Sequence, residues 1–266
     1  MTEGVTTTIA GLCNFRDTGG MPLRDGGRTS SGVLFRSEAL SALTPEGLDE
    51  FAATDIGVIV DFRTPAEREA APDRLPASRP FRTVELSILE GAVADMAKQF
   101  LQGGQPSPEQ LEQAMASIPT LGEMYLGMLQ HGASAFAEVA RLVGASTDDA
   151  PTAVLVHCTA GKDRTGVATA LMLDAVGAER DAVVADYAAS EQNLAGPWAD
   201  GILQALTSAG LPVTPALRTL ATGTPPEAIE TAFGWLDSTY GGAADYLVSG
   251  GLTAAELDAL RARLAG

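Results

Sequence analysis

The chain has 266 residues, 45% of them hydrophobic and 19% charged, which suffices for a substantial core. Its formal net charge of -17 argues against nucleic acid as a partner, which needs a basic surface, and weakly against tight adsorption to anionic membranes. Two cysteines, Cys13 and Cys158, cannot make a disulfide framework and point to a reducing cytoplasm, while Met1-Thr2-Glu3-Gly4 lacks the basic and apolar regions of a signal peptide and no run approaches the roughly 18 apolar residues of a membrane span.

The first forty residues read as loops and short strands: Asn14-Phe15-Arg16-Asp17 with Gly19-Gly20, a turn at Gly26-Gly27, then Val33-Leu34-Phe35-Arg36. Thr44-Pro45-Glu46 predicts a helix, with threonine as N-cap and proline at the first helical position. Ile56-Gly57-Val58-Ile59-Val60-Asp61-Phe62 reads as a buried strand and Phe81–Leu86 as a strand with partial alternation. Capping-box spacing marks helix starts at Thr64…Glu67, Thr224…Glu227 and Thr253…Glu256. Residues 92–101 and 108–145 read as helices, interrupted at Gly103-Gly104 and near Gly132.

A strand at Ala153-Val154-Leu155-Val156 follows, then a helix from Thr165 to Val176. Helices continue to the end, with turns at Gly196-Pro197, Gly210-Leu211-Pro212 and Gly241-Gly242. Strands alternating with helices predict an α/β fold, a three-layer sandwich with a central, mainly parallel sheet. No internal repeat or low-complexity linker divides the chain, so residues 1–266 read as a single domain with a helical C-terminal part.

The chemistry concentrates between that last strand and its helix, in His157-Cys158-Thr159-Ala160-Gly161-Lys162-Asp163-Arg164-Thr165-Gly166. The chain holds two cysteines, two histidines and two lysines, and one of each falls between His157 and Lys162. Cysteine is nucleophilic only as the thiolate. Here the N–H groups of Thr159, Ala160, Gly161 and their neighbours, the positive end of the following helix, and Lys162 and Arg164 all favour an anion. Arg164 offers a planar fork for two phosphate oxygens, and Gly161 lets the backbone turn close to a ligand. Thr165 is placed to donate its hydroxyl to the sulfur. The pattern describes a loop that presents a tetrahedral oxyanion to Cys158, with phosphoryl transfer to sulfur and then to water as the expected reaction. That chemistry calls on no metal and no cofactor.

A general acid must protonate the leaving oxygen. Asp163, inside the loop, is the first candidate and Asp61, followed by Phe62-Arg63, the second. A structural ion pair or loop hydrogen bond is the competing reading for Asp61. His157 reads as a loop support, Cys13 as a small buried hydrophobe, and His131 as a helix-end residue. Arg16, Arg36 and Arg63 stand beside acidic residues as surface charges or buried pairs. A nucleotide-binding Walker loop is excluded, because Val156 stands where its first glycine belongs and Asp163 where it needs Ser or Thr. A phosphate-binding module without turnover, or sulfur or arsenate transfer, are the competing function classes.

The Cys-x5-Arg string resembles the signature of the protein tyrosine phosphatase superfamily. More narrowly it is similar to atypical bacterial protein tyrosine and lipid phosphatases, including the mycobacterial PtpB-like group. Asn14-Phe15-Arg16-Asp17-x-Gly19-Gly20, Leu34-Phe35-Arg36-Ser37, Val60-Asp61-Phe62-Arg63 and Tyr240-Gly241-Gly242 extend the likeness from about residue 11 to the end. The resemblance implies a tyrosine-phosphatase-like fold and hydrolysis of phosphotyrosine, with phosphoserine/threonine proteins or phosphoinositides as further substrates. It also implies a helical lid at about 190–235. The Trp-Pro-Asp acid loop of conventional members is missing from 121–138, which favours Asp163 as the acid.

Overall fold

Five strands form one sheet in the spatial order β1 (Arg16–Asp17), β2 (Leu34–Ser37), β5 (Ala153–His157), β3 (Ile56–Asp61), β4 (Arg82–Glu85). Every neighbouring pair is parallel except β1, a two-residue antiparallel edge on β2. The computed structural model describes residues 8–88 and 118–266, so the expected helix over 92–101 and the first part of that over 108–145 lie outside the described residues. The expected α/β sandwich with a mainly parallel sheet is what the chain adopts.

Side-chain alternation along β5 decides the layers. Ala153 and Leu155 face one side, where they meet Phe35, Ile59 and Phe51 of helix α1 (Pro45–Ala52). Val154 and Val156 face the other side with Leu34 and Val60. There they meet α3 (Leu121–Gly144), α4 (Asp163–Ala175) and α5 (Arg180–Asn193). Beyond these pack α8 (Pro226–Tyr240), α9 (Ala243–Ser249) and α10 (Ala254–Ala265). Helix α4 is buried along all 13 residues, so its N-terminus is held firmly against the strand ends. Each of Leu171, Met172 and Leu173 gives roughly 1.5–3 kcal/mol by this burial. The short α2 (Pro65–Ala70) follows β3, while α6 (Pro197–Ser208) and α7 (Pro215–Thr222) complete the set.

Local chemistry explains the termini. Thr44, Thr64 and Thr253 cap α1, α2 and α10, the last two through full capping boxes. A further box, Thr120 with Glu123, opens α3. Thr224 departs from its expected role: Pro225 is the N-cap of α8, and Thr224 instead donates to Ala188 O at 2.9 Å. Helix α3 runs unbroken through Gly132, because α8, α9 and α10 pack along it and outweigh a glycine cost of about 1 kcal/mol. His131 is therefore within the helix, its Nδ1 2.9 Å from Gly127 O. Cys13 is exposed rather than buried. No helix among the described residues is long and apolar enough to cross a membrane.

One irregularity sets the register of β3. Ile56 pairs with Ala153 but Val58 with Val154, so Gly57 is the extra residue of a bulge. Ile56 and Ile59 thereby share a face although three positions apart. A Cβ on Gly57 would lie 1.7 Å from Pro151 O, a backbone atom that cannot yield cheaply. Gly57→Ala is expected to lower the unfolding free energy by about 1–3 kcal/mol, read from the urea midpoint at unchanged m-value.

Candidate active site

The C-terminal ends of β2, β3 and β5 gather on one edge of the sheet, where open α/β folds bind ligands. His157 closes β5, residues 158–162 form the loop, and α4 begins at Asp163. Three consecutive loop carbonyls are tied outward. Thr159 O accepts from Ala39 N at 3.2 Å. Ala160 O and Gly161 O accept from Asn14 Nδ2 at 3.1 and 3.2 Å, and Gly161 O also from the buried Arg36 at 2.8 Å. In a trans peptide the N–H points opposite the carbonyl, so the N–H groups of Ala160, Gly161 and Lys162 are turned inward. The Gly161 N–H confirms the direction by donating to Cys158 Sγ at 3.3 Å. Gly161 has φ +70°, and a Cβ there would sit 2.3 Å from Ser37 O, so only glycine closes this turn.

The donors that hold those carbonyls are themselves fixed. Arg36 and Arg16 both bond Asp186 of α5, at 2.5 and 2.6 Å, and both donate to Ser190 Oγ. Burial raises the Asp186 carboxyl, but Arg36 and Arg16 outweigh it and hold it below the usual carboxylate range. Burial, and then Arg36, push Arg16 down to about 10. Asn14 Oδ1 accepts from Arg16 at 2.6 Å, which turns its amide nitrogen to the loop. Arg36 is therefore a buried ion-paired residue and Arg16 a partly buried one, and neither is a free surface charge.

Glu67, met in the sequence only as a capping-box residue, frames Arg164. Its two oxygens accept from the guanidinium at 2.8 and 2.6 Å, a bidentate pair, and it also accepts from Thr159 Oγ1 at 2.6 Å. The same carboxylate bonds Thr64 N at 2.8 Å, so one side chain both caps α2 and orients the arginine. Burial raises Glu67, yet the bonds from Arg164 and Thr159 prevail and hold it far below the ordinary carboxylate range.

Asp163 is buried, and its Oδ1 accepts from Tyr125 Oη at 2.7 Å and from Lys162 Nζ at 3.0 Å. Lys162 spends its other donors on Leu220 O at 3.0 Å and Gly223 O at 3.2 Å, at the C-terminal end of α7. Its ammonium thus satisfies helix-end carbonyls in the observed arrangement. Thr165 Oγ1 is buried with no partner among the described residues, so the sulfur's hydrogen bond comes from Gly161 instead. Asp61 lies apart from the cavity, held by the Arg63 backbone at 2.9 Å and its guanidinium at 2.8 Å. The Arg63 guanidinium also reaches Asp73 at 2.7 Å, and His157 Nε2 lies 3.3 Å from Asp73. Asp61, Asp73 and His157 could present ligand atoms within 4.8 Å of one another, but the guanidinium against both carboxylates supplies the positive charge there.

Above the loop lies a cavity of about 310 Å³. Cys158, Thr159, Ala160, Lys162, Asp163 and Arg164 line its floor, and Met124 with Trp198, Ile202 and Leu206 of α6 and Leu217 and Leu220 of α7 line its walls. Helix α6 has no fully buried residue, and its Trp198, Ile202 and Leu206 side chains line this cavity. The floor offers inward N–H groups and a framed guanidinium to an oxyanion, and the sulfur sits among them. A family model described as "Tyrosine phosphatase family" matches residues 7–266.

The chain belongs to the tyrosine phosphatase family. It is 32% identical over 239 residues to a tyrosine-protein phosphatase of Nostoc commune, covering 87% of this chain and 74% of that one. A putative tyrosine-protein phosphatase of Cupriavidus necator is 30% identical over 237 residues, covering 89% of this chain and 80% of that one. The triple specificity protein phosphatase PtpB of Mycobacterium tuberculosis is 30% identical over 281 residues, covering 97% and 98%. Like its family, the chain is a phosphoric monoester hydrolase.

Sequence reasoning passed over Glu67, Asn14, Tyr125, Tyr187, Asp186 and Ser190 as site residues. Asn14 lay inside a segment of resemblance, and Glu67 carried a capping signal that concealed its second role. Glu67→Gln is expected to reduce kcat/KM for phenyl phosphate by about 10- to 100-fold, through loss of arginine alignment. Its folded-state carboxyl is depressed, so its contribution to stability is complete above the unfolded value of about 4.3 and is lost as pH falls further. The gap in thermal midpoint between wild type and Glu67→Gln should be constant above about pH 5 and narrow below that unfolded value.

Proposed function

We propose that this phosphatase is a cysteine-dependent enzyme of phosphotyrosine, working through a cysteinyl-phosphate as a single domain with α6 and α7 as its lid. The observation that carries the reading is an apolar-walled cavity standing on the Cys158–Arg164 anion loop. An aryl phosphate matches both halves: the phosphate meets N–H groups and a guanidinium, and the ring meets Trp198, Ile202 and Leu217. Among the described residues that line the cavity, the one cation besides Arg164 is Lys162, which already bonds three oxygens, and this favours a singly phosphorylated ring over a polyphosphorylated inositol.

In the first step the Cys158 thiolate attacks phosphorus while the bond to the leaving oxygen breaks. Asp163, protonated, delivers its proton to that oxygen, and the product alcohol or phenol departs. The Asp163 carboxylate then takes a proton from water as the water attacks the cysteinyl-phosphate, releasing phosphate and restoring thiolate and acid. Arg164 and the inward N–H groups stabilise the charge on the equatorial oxygens in both steps. Lys162 acts beside the phosphate, fixing Asp163 and α7. Asp61, Arg63 and His157 support the loop from beneath. Such a thiolate operates only when reduced, which suits a reducing compartment.

A substrate panel tests the reading. Wild type is expected to release phosphate from a phosphotyrosine peptide in preference to a phosphoserine peptide or a soluble phosphoinositide. Cys158→Ser should be inactive on all of them, and Asp163→Asn should lose about 100-fold or more on phosphotyrosine. Preference for the phosphoinositide would replace the substrate proposal, and activity retained by Cys158→Ser would end the mechanism. For the lid, limited proteolysis at 194–214 should slow when vanadate is bound; an unchanged cutting rate would count against it.

A further inference from the structure

We propose that Tyr125 is the positioning residue for Asp163, holding the acid so that its proton resides on Oδ2, toward the leaving oxygen. The inference rests on the reading of Asp163 as the general acid. Tyr125 lies in the first turns of α3 and is completely buried. Its hydroxyl donates to Oδ1 of Asp163 at 2.7 Å, and the Lys162 ammonium donates to the same oxygen at 3.0 Å. No described residue donates to Oδ2. A carboxylic acid has one proton, and an oxygen already receiving two donors, one of them cationic, is the oxygen least able to hold it. The proton therefore stays on Oδ2, and Asp163 lines the cavity beside Cys158 and Arg164.

The tyrosine is in turn held in place. Tyr187 of α5 lies 2.7 Å from it, oxygen to oxygen, with the rings edge to face at 5.9 Å. Since Tyr125 spends its only proton on Asp163, Tyr187 is the donor in that second bond. Burial pushes the Tyr125 phenol well above its usual 10.0, so it remains a donor across the range in which the enzyme is assayed. Two helices thus brace the first turn of α4 through a chain of hydroxyls.

The test compares kcat/KM on phenyl phosphate, whose leaving oxygen needs a proton, with dinitrophenyl phosphate, whose leaving group departs without one. This ratio reports the first chemical step. Tyr125→Phe is expected to lose about tenfold on phenyl phosphate and under about twofold on dinitrophenyl phosphate, and Asp163→Asn to show the same selectivity with a larger loss. Equal loss on both esters, or none on either, in Tyr125→Phe would overturn the positioning role while a selective Asp163→Asn left the acid in place. A non-selective Asp163→Asn would remove the acid and this inference with it. Should Tyr125→Phe not fold, Tyr187→Phe decides: a smaller selective loss supports the proposal, and a non-selective one overturns it.

Discussion

The outward tethering of three loop carbonyls is the constraint on which the site depends. A five-residue loop between a buried strand and a buried helix has its N–H groups facing either way, and only the pinned carbonyls of Thr159, Ala160 and Gly161 decide that they face inward. The Ala39 N–H pins the first, and Asn14 and Arg36 pin the other two, reaching the loop because β1 and β2 lie side by side at the sheet edge. Asp186 and Ser190 of α5 then fix the arginines. Segments nearly 180 residues apart in sequence thus converge on one peptide direction, with Asn193 also bonding Asn14 at 3.2 Å.

Charge is organised around the same need. In a chain of net charge -17, the cations near the site are each framed by carboxylates: Arg164 by Glu67, Arg63 by Asp61 and Asp73, Arg16 and Arg36 by Asp186. Such buried pairs cost desolvation that their attraction only partly offsets, so geometry is the better account of their presence than stability. Each carboxylate sets the plane of a guanidinium. For Arg164 that plane must match an oxyanion, and Glu67 supplies the match from a helix that it also caps. The acidic surface and the local positive cradle are compatible because the cradle's potential comes from backbone dipoles and one short-range guanidinium.

Much of this architecture is legible in the amino-acid sequence. Strand β5 and the helix after it stand out as an apolar run and a buried helix on either side of the loop, and threonine caps placed α1, α2 and α10. The signature residues Cys158 and Arg164 do meet on one cavity floor. What was illegible was non-local. Nothing along the chain says that Glu67 faces Arg164, that Tyr125 points at Asp163, or that Lys162 turns from the loop to the end of α7. Thr224 misled because its spacing fits a capping box, while the reciprocal bonds with Glu191 and Ala188 claimed it first. The bulge at Gly57 depends on the approach of Pro151, which no periodicity encodes.

The central claim is that Cys158 carries the phosphoryl group between substrate and water, on a loop whose direction Asn14 and Arg36 set. Rapid acid quench during turnover of phenyl phosphate, followed by mass spectrometry of the digested protein, measures this directly. The account predicts a phosphoryl group on the peptide containing Cys158, formed at the rate of phenol release and absent from Cys158→Ser. Phosphate release with no phosphorylated Cys158 at any quench time, or with the group on another residue, would contradict it.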